Sequence, residues 1–222
     1  MTLTVRELLK LRGESLRLHL GTSDERALER EITDAEISSP GLALAGYTER
    51  FTSKRMQVFG ATEVSYLRSL ASEDRRKAIE TLFAFDLPLV IVTKGQDLPP
   101  ELLEIAGRVG TPVVISELGT AEFYRRIHPF LNEQFAPHTH VHGSLADVYG
   151  VGLLYVGRSG IGKSECVLDL VERGHRLVAD DVVHISLQGH DVLIGRGLEL
   201  AGHHMEIRGI GIIDVRTLFG VR

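Results

Sequence analysis

The segment GRSGIGKS (157–164) constrains this chain more than any other stretch. It has the spacing G-x-x-x-x-G-K-S, which carries chemical meaning only where a strand precedes it and a helix follows. GLLYV (152–156) reads as the strand, and ECVLDLVERG (165–174) places Val167, Leu168, Leu170 and Val171 on the apolar side of a helix that Gly174 ends. Glycines let a backbone wrap closely around phosphate oxygens, and the N–H groups of the loop and the helix start point at the anion. In that arrangement Gly157, Arg158, Ser159, Gly160, Ile161, Gly162, Lys163 and Ser164 form the nucleotide-phosphate site. Lys163 reaches the β- and γ-phosphates, and the Ser164 hydroxyl can ligate Mg²⁺. The plainer alternative is a glycine turn with a solvated lysine, which the flanking strand and helix disfavour. The motif alone does not name a reaction, because many nucleotide enzymes share it.

The rest of the chain reads as α/β. Val5, Leu8 and Leu9 have helical spacing, Gly13 is a stop, and SLRLHL alternates as a strand does. Residues 61–85 read as helical, with a break near Ser72, whose side chain is expected to cap a new helix from Glu73. LPLVIVTKG (87–95), PPELLEIAGRVG (99–110) and TPVVISELG (111–119) form a strand, helix, strand series that predicts a parallel pair, followed by a helix from Thr120 to about Phe135. APHTHVHG (136–143) reads as a linker entering a new strand. The expected organisation is therefore a small N-terminal α/β domain over 1–132 and a phosphate-loop (Walker A) kinase domain over 133–222.

With 25 basic and 30 acidic residues the formal charge is −5, and no basic stripe interleaved with aromatics is present, so nucleic acid is not an expected partner. No apolar run is long enough to span a bilayer, and a single cysteine, Cys166, fits a reducing compartment such as the cytoplasm. Cys166 is expected to pack as a small apolar side chain and to be inert.

RLVADDVVHIS (176–186) reads as one strand carrying two carboxylates a short helix away from the phosphate loop. Asp180 and Asp181 point to opposite sides if extended, and one of them can take a proton from an attacking hydroxyl. His138, His140 and His142 recur with a period of two and share a strand face, with His203 and His204 further on. That spacing could serve a structural zinc ion, although no cysteine or third-ligand pattern accompanies it. His128 and His184 have no partner that the sequence names.

HGSLADVYGVGLLYVGRSGIGKSECVLDLVERGHRLVADDVV (142–183) together with MEIRGIGIID (205–214) closely resembles the bacterial HPr kinase/phosphorylase family. The resemblance implies a cytoplasmic homo-oligomer, typically a hexamer, that uses ATP and Mg²⁺ to phosphorylate a regulatory serine of the phosphocarrier HPr in the control of carbon catabolism. It also implies the reverse phosphorolysis, with pyrophosphate formed and able to serve as an alternative phosphoryl donor. Carried onto this chain, it implies that Lys163 acts on the phosphates and that Ser164 and Glu206 hold the metal. Asp181 becomes the proton acceptor for the serine hydroxyl, and His142 a further active-site residue. Two positions depart from the family: Arg158 stands where an acidic residue is usual, and Asp214 where an asparagine is. The family also continues beyond the point matching Arg222, through a segment with an active-site arginine, so a shortened kinase domain is expected. Competing readings are a phosphate-loop kinase of a small molecule, and a nucleotide-responsive binding module without phosphotransfer.

Overall fold

The computed structural model describes residues 2–22, 24–189, 191–197, 204–207 and 211–220, with Glu206 described in its backbone alone. The chain divides into two compact units, Met1–Phe135 and Ala136–Arg222. Both mix helices and strands.

The first unit contains β1 (Leu3–Thr4), α1 (Val5–Arg12), β2 (Leu18–Leu20), β3 (Glu31–Ile32), β4 (Ile37–Ser38), α2 (Gly41–Leu44), β5 (Met56–Phe59), α3 (Ala61–Ser69), α4 (Ser72–Phe83), β6 (Val90–Val92), α5 (Pro100–Val109), β7 (Val113–Ser116) and α6 (Thr120–Gln134). Its main sheet has the order β2-β7-β6-β5-β4, with β4 to β7 parallel and β2 antiparallel at one edge. Side chains alternate across this sheet because the strand period is two. Met56, Val58, Ile91 and Val114 pack with Val5, Leu8, Phe123 and Ile127 on one face. Phe59, Val90, Val92 and Val113 pack with Val64, Leu67, Ile79, Leu82 and Ile105 on the other. Covering both faces explains why LPLVIV is a continuous apolar run rather than an alternating one. The parallel β6–β7 pair and its crossover α5, opened by Pro100 and closed by Gly110 at φ +68°, follow the sequence reading. The cap expected from Ser72 does not form. Ser72 is the first residue of α4, Ala71 precedes it without a side-chain cap, and the Ser72 hydroxyl lies 3.4 Å from Glu101 Oε1.

The second unit contains β8 (His138–His142), β9 (Ser144–Val148), β10 (Val151–Tyr155), α7 (Lys163–Glu172), β11 (Arg176–Ala179), β12 (Val182–Gln188), β13 (Val192–Gly197), β14 (His204–Ile207), β15 (Gly211–Asp214) and α8 (Val215–Phe219). Two three-stranded antiparallel sheets, β10-β9-β11 and β13-β12-β8, are accompanied by the hairpin β14–β15. Val167 and Val171 of α7 bury against Ala146, Leu177, Met205, Ile207 and Val215. Two expectations are corrected here. The stretch 136–143, expected as a linker that enters a strand, is already strand over 138–142 and pairs along that length with β12. The stretch 176–186 is two strands in different sheets, parted at Asp180–Asp181, because Asp181 takes a left-handed φ of +77° that no continuous strand tolerates. Asp214 caps α8 by accepting from the N–H groups of Arg216 and Thr217 and the Thr217 hydroxyl, and Asp and Asn are about equally favoured at a cap. These bonds from Thr217 hold its carboxyl below the usual range.

Candidate functional site

Strand β10 delivers the chain into residues 156–162, and α7 carries it away. Gly160 and Gly162 turn the loop with φ of +79° and +101°, in the region that residues with a Cβ avoid. Gly162 stands at the N-cap position and has no side chain to cap α7, so the first N–H groups of the helix face the loop. Lys163 Nζ donates to the carbonyl oxygens of Gly157 and Arg158, both at 3.2 Å, and so closes the loop on itself. A cavity of about 280 Å³ lies over this turn. It is lined by His142, Ser144, the glycines of the loop, Ser159, Lys163, Ser164, Glu165, Asp180 and Asp181. Arg158 and Ile161 sit on the same loop but outside the lining, and Ile161 is exposed.

The two adjacent carboxylates are separated by backbone geometry. Val182 N–H bonds to the Asp180 carbonyl at 3.2 Å, which with φ +77° at Asp181 makes a γ-turn of the rare, strained hand. Asp180 faces inward. Its Oδ1 accepts the Ser144 hydroxyl at 2.5 Å, and its two oxygens accept the Ser164 hydroxyl at 3.0 and 3.2 Å. Asp181 faces outward with its side chain 86% exposed, and its Oδ1 is 3.6 Å from His142 Nδ1, beyond hydrogen-bond reach. The Asp181 carbonyl accepts the Gly143 N–H at 3.0 Å, tying this turn to the junction of β8 and β9.

These oxygens fit a hard cation. A hydroxyl has one hydrogen, and Ser164 commits it to Asp180, which leaves its lone pairs free for a ligand. Mg²⁺ suits such a set, because it takes one or two protein oxygens and completes its shell with water and phosphate. Among the described residues no three His, Cys, Asp or Glu side chains are grouped to hold a metal ion. The sequence-expected metal residue Glu206 lies in β14, with its side chain outside the described residues.

The remaining histidines are placed differently from any three-ligand spacing on β8. His138 and His140 do share a face, but the third ring beside them is His184 of β12, with ring centroids 5.2 and 4.9 Å away. His142 lies instead in the cavity lining, and His203 falls outside the described residues. His184 is held below the usual histidine pKa first by burial and then by His140, His138 and Arg196. His128 stacks on Tyr124 at 5.5 Å. Cys166 is exposed on α7 rather than packed, because the buried stripe of that helix runs through Val167 and Val171. Gly143, Ser144 and Glu165 line the cavity without having been singled out as site residues from the sequence, and a serine opening a strand carries no signal of its own.

A mixed α/β chain of two units, with this strand, loop and helix in the second, belongs to the HPr serine kinase family. The family model for the HPr serine kinase N terminus matches residues 3–131, and the one for its C-terminal domain matches residues 133–222. An HPr kinase/phosphorylase of Prosthecochloris aestuarii is 48% identical over 194 residues, which are 87% of this chain and 57% of that protein. One of Chloroherpeton thalassium is 50% identical with the same coverage. The structure of the Hpr(Ser) kinase/phosphatase from Coxiella burnetii aligns with 37% of this chain and 54% of its own, at 43% identity and a TM-score of 0.35. This chain thus spans little more than half the length of these curated relatives.

Proposed function

We propose that this chain is an HPr serine kinase/phosphorylase, carrying out the reaction that the names of its relatives describe. It transfers the γ-phosphoryl group of ATP to a serine of HPr, and in phosphorolysis inorganic phosphate takes the phosphoryl group from phosphoserine, which frees the serine and releases pyrophosphate. The observation that carries this reading is the division of the acidic pair at the phosphate loop: Asp180 takes the Ser164 hydrogen while Asp181 stands open at the cavity edge.

Phosphoryl transfer asks for neutralised phosphates, an in-line nucleophile and little covalent help. Loop N–H groups and the start of α7 receive the phosphate oxygens, and Lys163 leaves the carbonyls of Gly157 and Arg158 to meet them. Ser164 Oγ, oriented by Asp180, and the Glu206 carboxylate would hold Mg²⁺. That ion would supply positive charge to offset the charge of the phosphates. Asp181 accepts the proton of the HPr serine as its oxygen attacks, and in the reverse direction returns it to the departing serine. His142, 3.6 Å from Asp181, adds a second polar side chain at the acceptor side. The chain works in the cytoplasm as a homo-oligomer; no described helix is long and apolar enough to cross a membrane. Residues 1–132 act as a regulatory or assembly domain for the kinase domain 133–222.

Intact-mass spectrometry of HPr after incubation with this protein and Mg-ATP tests the reading. The expected gain is one phosphoryl group, absent with Lys163→Ala and with HPr whose serine is replaced by alanine. No gain from a protein that binds Mg-ATP would favour a nucleotide-responsive module, and transfer to a metabolite instead would favour a small-molecule kinase.

A further inference from the structure

Ser144 opens β9 with no exposed surface, and a hydroxyl so enclosed needs a partner. Its partner is Asp180 Oδ1 at 2.5 Å, an oxygen that Ser164 also shares. This meeting depends on an irregularity in the ladder. β11 runs beside β9 with Arg176 opposite Asp147 and Leu177 opposite Ala146, and then slips so that Ala179, not Val178, opposes Leu145. Continuing the slipped register sets Asp180 across from Ser144. Without the slip Asp180 would lie one residue further on, opposite Gly143, and its side chain would leave by the other face.

We propose that Ser144 is a positioning residue for the metal side of the phosphate site, an inference that rests on the reading of the loop as a Mg-ATP site. The single Ser164 hydrogen, shared between both Asp180 oxygens at 3.0 and 3.2 Å, is by itself a weak hold on the carboxylate. A second donor, fixed in a strand and aimed at Oδ1, holds the plane of the carboxylate. Asp180 then takes the Ser164 hydrogen in one geometry and keeps the Ser164 lone pairs turned to the cavity. Outer partners of this kind are worth about 10- to 100-fold in metal affinity.

The test is a Mn²⁺ titration followed by electron paramagnetic resonance, with the protein saturated by a non-hydrolysable ATP analogue, beside the affinity for ATP in EDTA. Ser144→Ala is expected to weaken Mn²⁺ by about 10- to 100-fold and to leave metal-free ATP affinity unchanged, while Ser144→Thr, which keeps the hydroxyl, restores Mn²⁺ binding. In an Asp180→Asn background the Ser144→Ala loss should vanish, which separates action through Asp180 from a general loss of packing. Unchanged Mn²⁺ affinity in folded Ser144→Ala, or a loss that persists in Asp180→Asn, would overturn the inference. Should Ser144→Ala not fold, Ser144→Thr decides: Mn²⁺ affinity equal to wild type supports the inference, and a 10-fold loss with the fold retained overturns it. Failure of the unsubstituted protein to bind ATP in either condition would instead overturn the reading of the loop itself.

Discussion

The two units place their irregularities differently. In the first, helices cover both faces of a parallel sheet, and even the enclosed polar side chains Gln57, Thr93 and Ser116 bond to nearby main-chain carbonyls. In the second, Tyr149, Val151, Val156, Ile161, Leu193 and Ile212 stand exposed, and two small sheets share a thinner core. Regularity in the first unit serves packing. Around its cavity the second unit gathers two left-handed glycines, a slipped register at β11 and a positive φ at an aspartate. The glycines adopt such φ without strain, but at Asp181 it costs about 1–3 kcal/mol and persists only where surrounding contacts enforce it. Left-handed backbone also occurs elsewhere, at Arg17 and Lys94 in the first unit and at Tyr149 in the second, but beside the cavity it coincides with a slipped register and a pair of carboxylates.

Four substitutions press on that contrast. Phe123→Ala, in the fully enclosed core of the first unit, is expected to cost about 3–5 kcal/mol in urea unfolding, whereas Leu177→Ala in the second falls at the low end of about 2–5 kcal/mol. Equal losses would contradict the difference in packing. Lys163→Ala removes a charged donor from the phosphates and should weaken ATP by about 1.5–3 kcal/mol in calorimetric titration. Asp181→Gly relieves the strained turn, so the midpoint of thermal unfolding should rise by an amount equivalent to about 1 kcal/mol, while phosphotransfer is lost.

The smallest effect concerns pH. Burial, and then His140, His138 and Arg196, hold the His184 imidazole below its ordinary 6.5. The unfolded chain therefore takes up this proton more readily than the folded one, and stability must fall as pH drops below about 6.5. His184→Gln should flatten that part of the curve of unfolding free energy against pH; an unchanged slope would remove His184 as its source.

Much of the framework was legible in the residues. The strand before GRSGIGKS and the helix after it, the Pro100 start and Gly110 stop of α5, and the β6–β7 parallel pair each follow from local pattern. What stayed hidden depends on contacts distant in sequence. RLVADDVVHIS has the composition of one strand, and only pairing of its halves with β9 and with β8 forces the γ-turn that divides Asp180 from Asp181. The 36-residue separation of Ser144 from Asp180 leaves no short-range signal. Cys166 looked apolar in isolation, but it falls beside, not on, the buried stripe of α7.

The division of the acidic pair is most directly tested by single-turnover transfer to HPr and Mg-ATP affinity, measured side by side for Asp180→Asn and Asp181→Asn. Asp181→Asn should keep Mg-ATP affinity and lose about 10²- to 10⁴-fold in rate. Asp180→Asn should weaken Mg-ATP relative to metal-free ATP. Identical profiles for the two variants, with affinity and rate falling together in both, would contradict the assignment of one carboxylate to the metal side and the other to the acceptor.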